Sequence, residues 1–421
     1  MKEVNASIIT IGDELLIGQT IDTNSAYIGT ELNKIGIWVK RRVAVGDDKQ
    51  DILKALEMES RDSQIIIITG GLGPTADDIT KPALCEYFNA TLVVNEEALK
   101  NVKNIFTKLK KPLIERNLKQ AEIPDNCEAL QNQRGTAPGM WFNHNDVIYI
   151  SLPGVPHEMK GIFEHDVITR LTQNFELPAI IHKTLVTAGK GESELAEMIV
   201  SFEEKLPAHI KLAYLPNYGM VRLRLTAKGN EKTKLQSELE GQVLLLKQLI
   251  EPWIVTDEDI SLPQVLLELL KNRKQTFGTA ESCTGGYIAH LITSIAGSSA
   301  VYKGSVVAYA NEIKERILRL SKGTLSAVGA VSEETVKQMA TGALNELNTD
   351  YVIATSGIMG PEGGSPEKPV GTVWIAVASR NEVQTQMFSF RFNRSRNIEL
   401  TAHSALNMLR KLVLKEGQAS D

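Results

Sequence analysis

Apolar residues in the first 170 positions follow two alternating periods. Residues 7–11 are a short β-branched run. Residues 23–35 carry Ile28, Leu32 and Ile35 at helical spacing and stop at Gly36. Residues 38–45 read as a strand, 50–59 as a helix and 64–69 (QIIIIT) as a strand apolar on both faces. Such strands, separated by helices, predict a parallel sheet covered on both sides, a three-layer α/β domain.

The pattern changes after about position 170. Residues 180–187 and 221–228 read as strands, the second alternating as VRLRLTAK, with helices expected near 193–202 and 232–249. This predicts a small α+β unit. From about 260 the α/β alternation returns: a helix over 264–271, a strand over 276–279, the turn AESCTGG, and a helix through 295. A strand over 301–309 and a helix over 312–320 follow. Ser332 is placed to cap a helix whose first turn carries Glu333 and Glu334. Strands at 351–355, 370–378 and 383–392 and a helix over 398–414 complete the chain. The predicted domains are 1–170, 171–257 and 258–421.

Length and composition agree with several folded domains. The chain has 421 residues, 43% of them hydrophobic and 23% charged. This argues against wholesale disorder. A formal charge of −5 gives no general pull toward nucleic acid or an anionic membrane. No apolar run approaches the roughly 18–20 residues that cross a bilayer. The opening stretch reads as a first strand broken by Asp13 and Glu14, not as a signal peptide. The three cysteines (Cys85, Cys127, Cys283) form no CxxC pair. They fit reduced thiols in a cytoplasm.

Candidate chemistry gathers in the last domain. In residues 279–292 a strand meets a small-residue turn and then a helix. Gly285 and Gly286 allow close backbone approach there, and Ser282 stands where a nucleophile or an anion-binding hydroxyl is useful. The plainer alternative makes Ser282 or Thr284 a helix cap. Tyr309 is expected at a strand end and Lys314 in the next helix. A desolvated lysine there could serve as a base toward serine, against the plainer reading of a solvated lysine. The glycine- and proline-rich stretch 355–372 reads as a binding loop or, more plainly, a connector. All three are expected at one edge of a parallel sheet.

These stretches (AESCTGG, GSSAVYKGSVVAYANEIK, GAVSEETVKQMATGA, and TSGIMGP with PVGTV) resemble the nicotinamide-nucleotide amidohydrolase domain of the CinA (competence/damage-inducible protein A) family over about 260–412. The resemblance implies hydrolysis of the carboxamide of nicotinamide mononucleotide to nicotinic acid mononucleotide and ammonia, without a metal or other cofactor. It implies Ser282 as nucleophile, Lys314 as general base and Tyr309 as supporting hydroxyl. Thr284, Gly285, Gly286, Thr355, Gly357 and Gly360 are implied as substrate-binding residues, with backbone amides of 284–286 or 355–360 serving as oxyanion or phosphate donors. The family's GIAGP stands here with Met359 in place of the alanine. Its closing GDR stands as Phe392-Asn393-Arg394, which makes Arg394 a candidate phosphate partner. Cys283, beside Ser282, is read as a small buried thiol and not as the nucleophile.

The first domain carries its own signature. Gly12, Asp13 and Glu14 follow strand one, Asp22 and Asn24 open a helix, and Asp47 follows another strand. Gly70, Gly71, Gly73 and Thr75 form a glycine-rich turn leading to Asp77 and Asp78. GGLGPT lacks the GK[ST] ending of a Walker loop. Together with RGTAPGMW (134–141) and SLPGVPHEM (151–159), these residues resemble the molybdopterin-binding-like domain of the same family. That implies a nucleotide or pterin site and a metal-dependent ADP-ribose pyrophosphatase activity. Asp47, Asp77 and Asp78 would be ligands for a divalent metal (Mg, Mn or Co) that neutralises pyrophosphate charge. A plainer reading makes Asp77 and Asp78 helix-start residues.

The middle segment resembles the family's KH-like domain. Its Gly189-Lys190-Gly191 is not the GXXG loop with which KH folds bind RNA, so a structural or dimer-linking role is expected. The stretch from Lys100 to Lys119 has seven cations against Glu115. With one aromatic, it reads as a solvated face rather than a nucleic-acid site. The seven histidines show no HxxxH spacing, and only His157 falls near a predicted site. The expected partners are the small-molecule nucleotides nicotinamide mononucleotide and ADP-ribose, with no membrane and no nucleic acid; a homodimer is implied by the resemblance. A non-catalytic scaffold for competence or DNA-damage responses stands as the alternative.

Overall fold

The computed structural model describes residues 4–75, 77–217 and 219–418. Two compact units are present, Met1–Ile181 with Ala227–Gln236 and His182–Thr226 with Ser237–Asp421. Among the described residues no helix is long and apolar enough to cross a membrane.

In the first unit, β1 (Asn5–Ile11), α1 (Thr23–Lys34), β2 (Trp38–Val45), α2 (Lys49–Ser60) and β3 (Ile65–Thr69) come in the expected order, and a helix α3 (Thr80–Phe88) that the sequence reading did not include follows them. A helix α4 (Glu96–Lys108) and strands β4 (Glu128–Leu130), β5 (Gly139–His144) and β6 (Val147–Leu152) follow. The sheet order is β2-β1-β3-β6-β5-β4. The first four strands are parallel, and β5 and β4 add an antiparallel edge.

The QIIIIT run shows why a strand can be apolar throughout. Ile65 and Ile67 enter a core with Ile8, Ile28, Leu32 and Phe163. Ile66 and Ile68 enter the opposite core with Ile9, Ile52, Leu56 and Leu84. Successive side chains point to opposite faces, so a sheet sandwiched between helices needs both sets apolar. Each buried isoleucine contributes roughly 1.5–3 kcal/mol relative to exposure.

The middle segment contains β7 (Ala179–Ala188), α6 (Glu192–Glu203), β8 (Ile210–Asn217), β9 (Met220–Gly229), α7 (Lys232–Ile250) and β10 (Ile254–Thr256), with α5 (Pro156–Ile162) preceding them. Its sheet order is β8-β9-β7-β10. Strands β8 and β10 lie outside the two strands the sequence predicted.

The last module holds α8 (Leu262–Arg273), β11 (Phe277–Glu281), α9 (Tyr287–Thr293), β12 (Tyr302–Val307), α10 (Asn311–Arg316), α11 (Glu333–Leu347), β13 (Tyr351–Gly357), β14 (Thr372–Ser379), β15 (Val383–Ser389) and α12 (Arg394–Gln418). The order β12-β11-β13-β14-β15 is parallel for the first three strands and antiparallel after them. Phe277, Tyr351 and Ile353 pack toward α8 and α12. Ala280, Val352 and Ala354 pack toward α11.

Two expected elements end early. The strand expected over 301–309 stops at Val307, and the helix expected over 312–320 stops at Arg316. Arg319 has φ 56°, a left-handed conformation that a helix cannot contain. Ser332 caps α11 as expected, its side chain accepting from the Thr335 amide.

Candidate functional site

In the last module the parallel register pairs Glu281 with both Val307 and Thr355. The residues that follow these three positions therefore emerge at one sheet edge. A cavity of about 190 Å³ opens there, lined by Ser282, Cys283, Tyr309, Lys314, Ser356 and Arg394, with Gly357 and Met359 also on its wall.

Ser282 leads the turn between β11 and α9 and is nearly buried. Its amide donates to the Thr355 carbonyl at 3.0 Å, which fixes the backbone just before the hydroxyl. The reversal needs Gly285 (φ 60°) and Gly286 (φ 94°), which a side chain would strain. Lys314 on α10 is 1% exposed. Its Nζ donates to the backbone carbonyl of Tyr309 at 3.0 Å. Burial holds its pKa below the ordinary lysine value, a shift that the nearby Cys283 and Glu312 oppose. The Tyr309 side chain is 62% exposed at the mouth of the cavity. Its Oη accepts from Arg394 Nη2 at 2.9 Å, while Arg394 Nη1 donates to the Gly360 carbonyl at 2.9 Å. Cys283 shares the wall, but burial pushes its thiol up to about 12, with the Thr355 hydrogen bond opposing. A thiol protonated at neutral pH is a poor nucleophile, in keeping with the expectation of a small buried thiol here.

Several expected roles change. Neither Ser282 nor Thr284 caps α9; Gly286 holds that position without a side-chain cap bond. Tyr309 lies two residues beyond the end of β12, in the turn before α10. The amides of the glycine turn are not open to a substrate anion: that of Gly286 donates to the Glu281 carboxylate, and that of Gly285 to the Ser282 carbonyl. Among the described residues the Cys283 amide has no carbonyl partner. Thr284, Gly285 and Gly286 line a second hollow of about 370 Å³ with Tyr287, His290 and Ser395. They do not line the Ser282 cavity. Thr355 is enclosed, its hydroxyl 2.8 Å from that of Thr284. It supports the turn and does not touch the cavity.

Sequence reasoning passed over Glu281, Ser356 and Asn397. Ser356 donates to the Ala330 carbonyl at 2.7 Å. Asn397 donates to the carbonyls of Met359 and Phe392 at 3.2 and 2.9 Å, tying the Met359 loop to the start of α12. The available signal was an acidic side chain just before a Gly-Gly turn, inside an otherwise small and apolar run.

The first unit gathers its signature residues at the carboxyl ends of β1, β2, β3 and β6, where ligands of open α/β sheets bind. Gly12 donates to the Val45 carbonyl at 3.1 Å. Asp13 and Asp47 each accept from the other's amide, at 3.1 and 3.0 Å. Burial raises the Asp47 carboxyl above the usual range; the Asp13 amide opposes this, and Asp13, Glu14 and Asp77 add repulsion. Asp22 accepts from the Ser25 amide and is the cap of α1. Asn24 donates to Thr69 Oγ1 at 3.0 Å and to the Gly154 carbonyl at 2.8 Å. Its own oxygen is buried without a partner among the described residues. Gly70 has φ 117°, and an added Cβ would fall 2.2 Å from the Ile11 carbonyl. Thr80 braces the turn by donating to the Gly70 carbonyl from its hydroxyl and to the Gly71 carbonyl from its amide.

The three expected metal ligands do not form one set, because Asp78 is taken up by its own loop. Asp78 accepts from the Gly73 amide at 2.7 Å, from the Thr75 amide at 2.8 Å and from the Thr75 hydroxyl. Both its oxygens therefore organise the GGLGPT loop. Asp77 is exposed. Among the described residues no three His, Cys, Asp or Glu side chains are grouped to hold a metal ion. This donor set does not fit a resident divalent cation. His157 meets Arg134 through its backbone carbonyl at 3.4 Å. The seven cations between Lys100 and Lys119 are all exposed, as a solvated face requires.

Fold and signatures define a chain of three successive modules: molybdopterin-binding-like, KH and CinA C-terminal. Residues 7–173 match the probable molybdopterin binding domain, 182–254 the damage-inducible protein CinA KH domain, and 259–413 the CinA C-terminal domain. A CinA-like protein of Cytophaga hutchinsonii is 48% identical over 408 residues, 97% of this chain and 98% of the relative. One from Flavobacterium psychrophilum is 47% identical, covering 98% and 99% of the two chains. The crystal structure of a competence/damage inducible protein, CihA, from Agrobacterium tumefaciens is 41% identical over 36% of this chain and 93% of its own, with a TM-score of 0.35. The chain belongs to the CinA family.

Proposed function

We propose that the C-terminal module hydrolyses the carboxamide of nicotinamide mononucleotide, giving nicotinic acid mononucleotide and ammonia. One observation carries the reading: Ser282 and a buried lysine of lowered pKa line the same small cavity. An amide is a weak electrophile, so an activated nucleophile, a charge-stabilising donor and a proton for the leaving nitrogen are all needed.

Each requirement has a residue. Neutral Lys314 donates one N–H to the Tyr309 carbonyl, which orients its lone pair. It takes the proton of Ser282 as Oγ attacks the carboxamide carbon. The Cys283 amide, one residue past the nucleophile, is the donor proposed for the oxyanion. When the carbon–nitrogen bond breaks, Lys314 returns the proton and ammonia leaves, forming the Ser282 ester. Water, deprotonated by Lys314, then attacks that ester, and Ser282 recovers its proton as the acid departs. Among the described residues no hydrogen bond joins Lys314 to Ser282. Catalytic contacts of this type commonly tighten only with substrate bound. Tyr309, held by Arg394, keeps its own hydroxyl proton for the substrate, and Arg394 is the proposed partner of the phosphate.

The test is ammonia release from nicotinamide mononucleotide by purified full-length protein. Activity is expected to vanish in Ser282→Ala and Lys314→Ala; activity that survives both substitutions rejects the assignment, and inactive wild-type protein favours a non-catalytic scaffold.

A second reading concerns the first unit. The acidic group Asp13, Glu14, Asp47 and Asp77 beside the glycine turn favours a nucleotide ligand that arrives with its own counter-ions, and ADP-ribose pyrophosphatase activity is proposed on that basis. No step through a bound metal is derived. Release of AMP from ADP-ribose that fails in Asp47→Ala would support this reading, and absence of turnover with any added divalent cation would end it.

A further inference from the structure

A carboxylate is enclosed directly behind the Ser282 turn, and the reaction proposed above makes no use of it. Glu281 is the last residue of β11 and is 0% exposed. Its Oε2 accepts from the amides of Gly286 and Ile288, each at 3.1 Å, and its Oε1 from the amide of Ala289 at 2.9 Å. The hydroxyls of Thr279 and Ser305 approach Oε1 at 3.3 and 3.5 Å. All five partners are N–H or O–H groups. A helix start leaves its first amides without intrahelical partners, and a buried unpaired amide is costly. The amides of Gly286, Ile288 and Ala289 are satisfied by one side chain reaching forward from the preceding strand.

This arrangement ties the shape of the turn to a single group. The strand ends at Glu281, the nucleophile follows at once, and the chain reverses through Gly285 and Gly286 before its amides return to the same carboxylate. The five-residue loop is closed at both ends on Glu281. The orientation of Ser282 Oγ toward the cavity therefore depends on that closure. The carboxylate also occupies the place an anion would take in a glycine-rich turn.

We infer that Glu281 is a positioning residue for the nucleophile: its carboxylate fixes the backbone of 282–286. The inference rests on Ser282 being the nucleophile.

The test uses full-length Glu281→Gln, which keeps the size of the side chain but replaces one acceptor oxygen with a donor, and Glu281→Asp, which keeps a carboxylate one methylene shorter. Two readouts are taken: kcat and KM for nicotinamide mononucleotide, and hydrogen exchange of the backbone amides of 283–290. Loss of a charge-assisted bond corresponds to roughly 10- to 100-fold. The glutamine variant is expected to lose kcat by that factor with KM within about twofold, and to exchange the amides of 286–289 at least about tenfold faster. The aspartate variant should recover part of both. Should the glutamine variant not fold, Gly286→Ala, which leaves the carboxylate in place but strains a φ of 94° at one of the amides it holds, is expected to lower kcat with KM retained. Unchanged exchange in the glutamine variant, or faster exchange with full kcat, overturns the inference, as does full kcat in Gly286→Ala. Exchange needs no substrate. Protein inactive on the nucleotide would reject the proposed reaction while leaving exchange to decide whether Glu281 organises the turn.

Discussion

Lys314 reaches Tyr309 through the tyrosine's main chain and not its phenol: the lysine Nζ donates to the Tyr309 carbonyl at 3.0 Å. The phenol is left to Arg394, whose Nη2 donates to it at 2.9 Å. The turn after β12 and the first residues of α10 thus present a hydroxyl and a base with separate anchors. The amine can change protonation without releasing the ring.

The pH dependence follows from the lysine. Burial lowers its pKa from the ordinary value of 10.5, and the base is the neutral form. Activity should rise with pH through the folded-state pKa and level off below the pH at which a free lysine titrates. A kcat/KM profile in which the rising limb stays at or above 10.5 would contradict this.

Arg394 is expected to act on binding. Arg394→Ala removes donors to both Tyr309 and Gly360 and should raise KM for the nucleotide roughly tenfold or more, by analogy with the 1.5–3 kcal/mol of charged hydrogen bonds. Arg394→Lys should recover little, since an ammonium cannot span two acceptors as a planar guanidinium does. Steady-state kinetics at fixed pH would decide it, and equal KM in wild type and alanine variant would refute the role.

Cys283 offers a contrast beside the nucleophile. With its thiol pushed up to about 12 by burial, Cys283→Ala should retain most of the activity. Native protein at neutral pH should resist alkylation at this position by iodoacetamide, as read by mass spectrometry. Rapid labelling, or activity lost with the thiol, would reverse the assignment of roles.

Lys81 supplies a stability test in the first unit. It is 7% exposed, and burial holds its pKa down to about 8. Between about 8 and 10.5 the unfolded chain binds more protons at this site than the folded one, so its contribution makes stability rise with pH. Thermal unfolding should therefore show wild type gaining on Lys81→Met between pH 7 and pH 10. A constant difference across that range would argue against it.

Asp78 separates loop architecture from metal binding. Asp78→Ala strips the acceptor from the Gly73 and Thr75 amides and should cost about 1–3 kcal/mol locally. Faster hydrogen exchange over 71–80 is the expected sign, with cation affinity by calorimetry unchanged from wild type. Loss of a measurable cation site in this variant would restore Asp78 as a ligand.

The sequence made the layers legible because burial on both sheet faces leaves an unbroken apolar run, as in Ile65–Ile68. It also indicated that Ser282, Tyr309 and Lys314 would meet at one edge, since parallel strands send their carboxyl ends the same way. Three features were hidden. Strand β8 carries Pro216 near its end and a mixed burial pattern, so its periodicity is weak. The early stop of α10 depends on Arg319 in a left-handed conformation, which no composition rule announces. The commitment of the glycine-turn amides to Glu281 could not be seen either, because a Gly-Gly turn looks the same whether an outside anion or the protein's own carboxylate fills it.

Helix α12 joins two tasks in one rod. Its first residue is Arg394 at the cavity mouth, and near its far end Glu416 receives the hydroxyls of Tyr351 and Ser379. Tyr351 opens β13 and Gly357 closes it, so helix and strand run the length of the module with the cavity at one end and this polar clasp at the other. A slip of one helical turn at the clasp would translate Arg394 by roughly 5.4 Å. The stiffness of the scaffold and the reach of its guanidinium are therefore a single mechanical property, and changes at the clasp will be felt at the mouth.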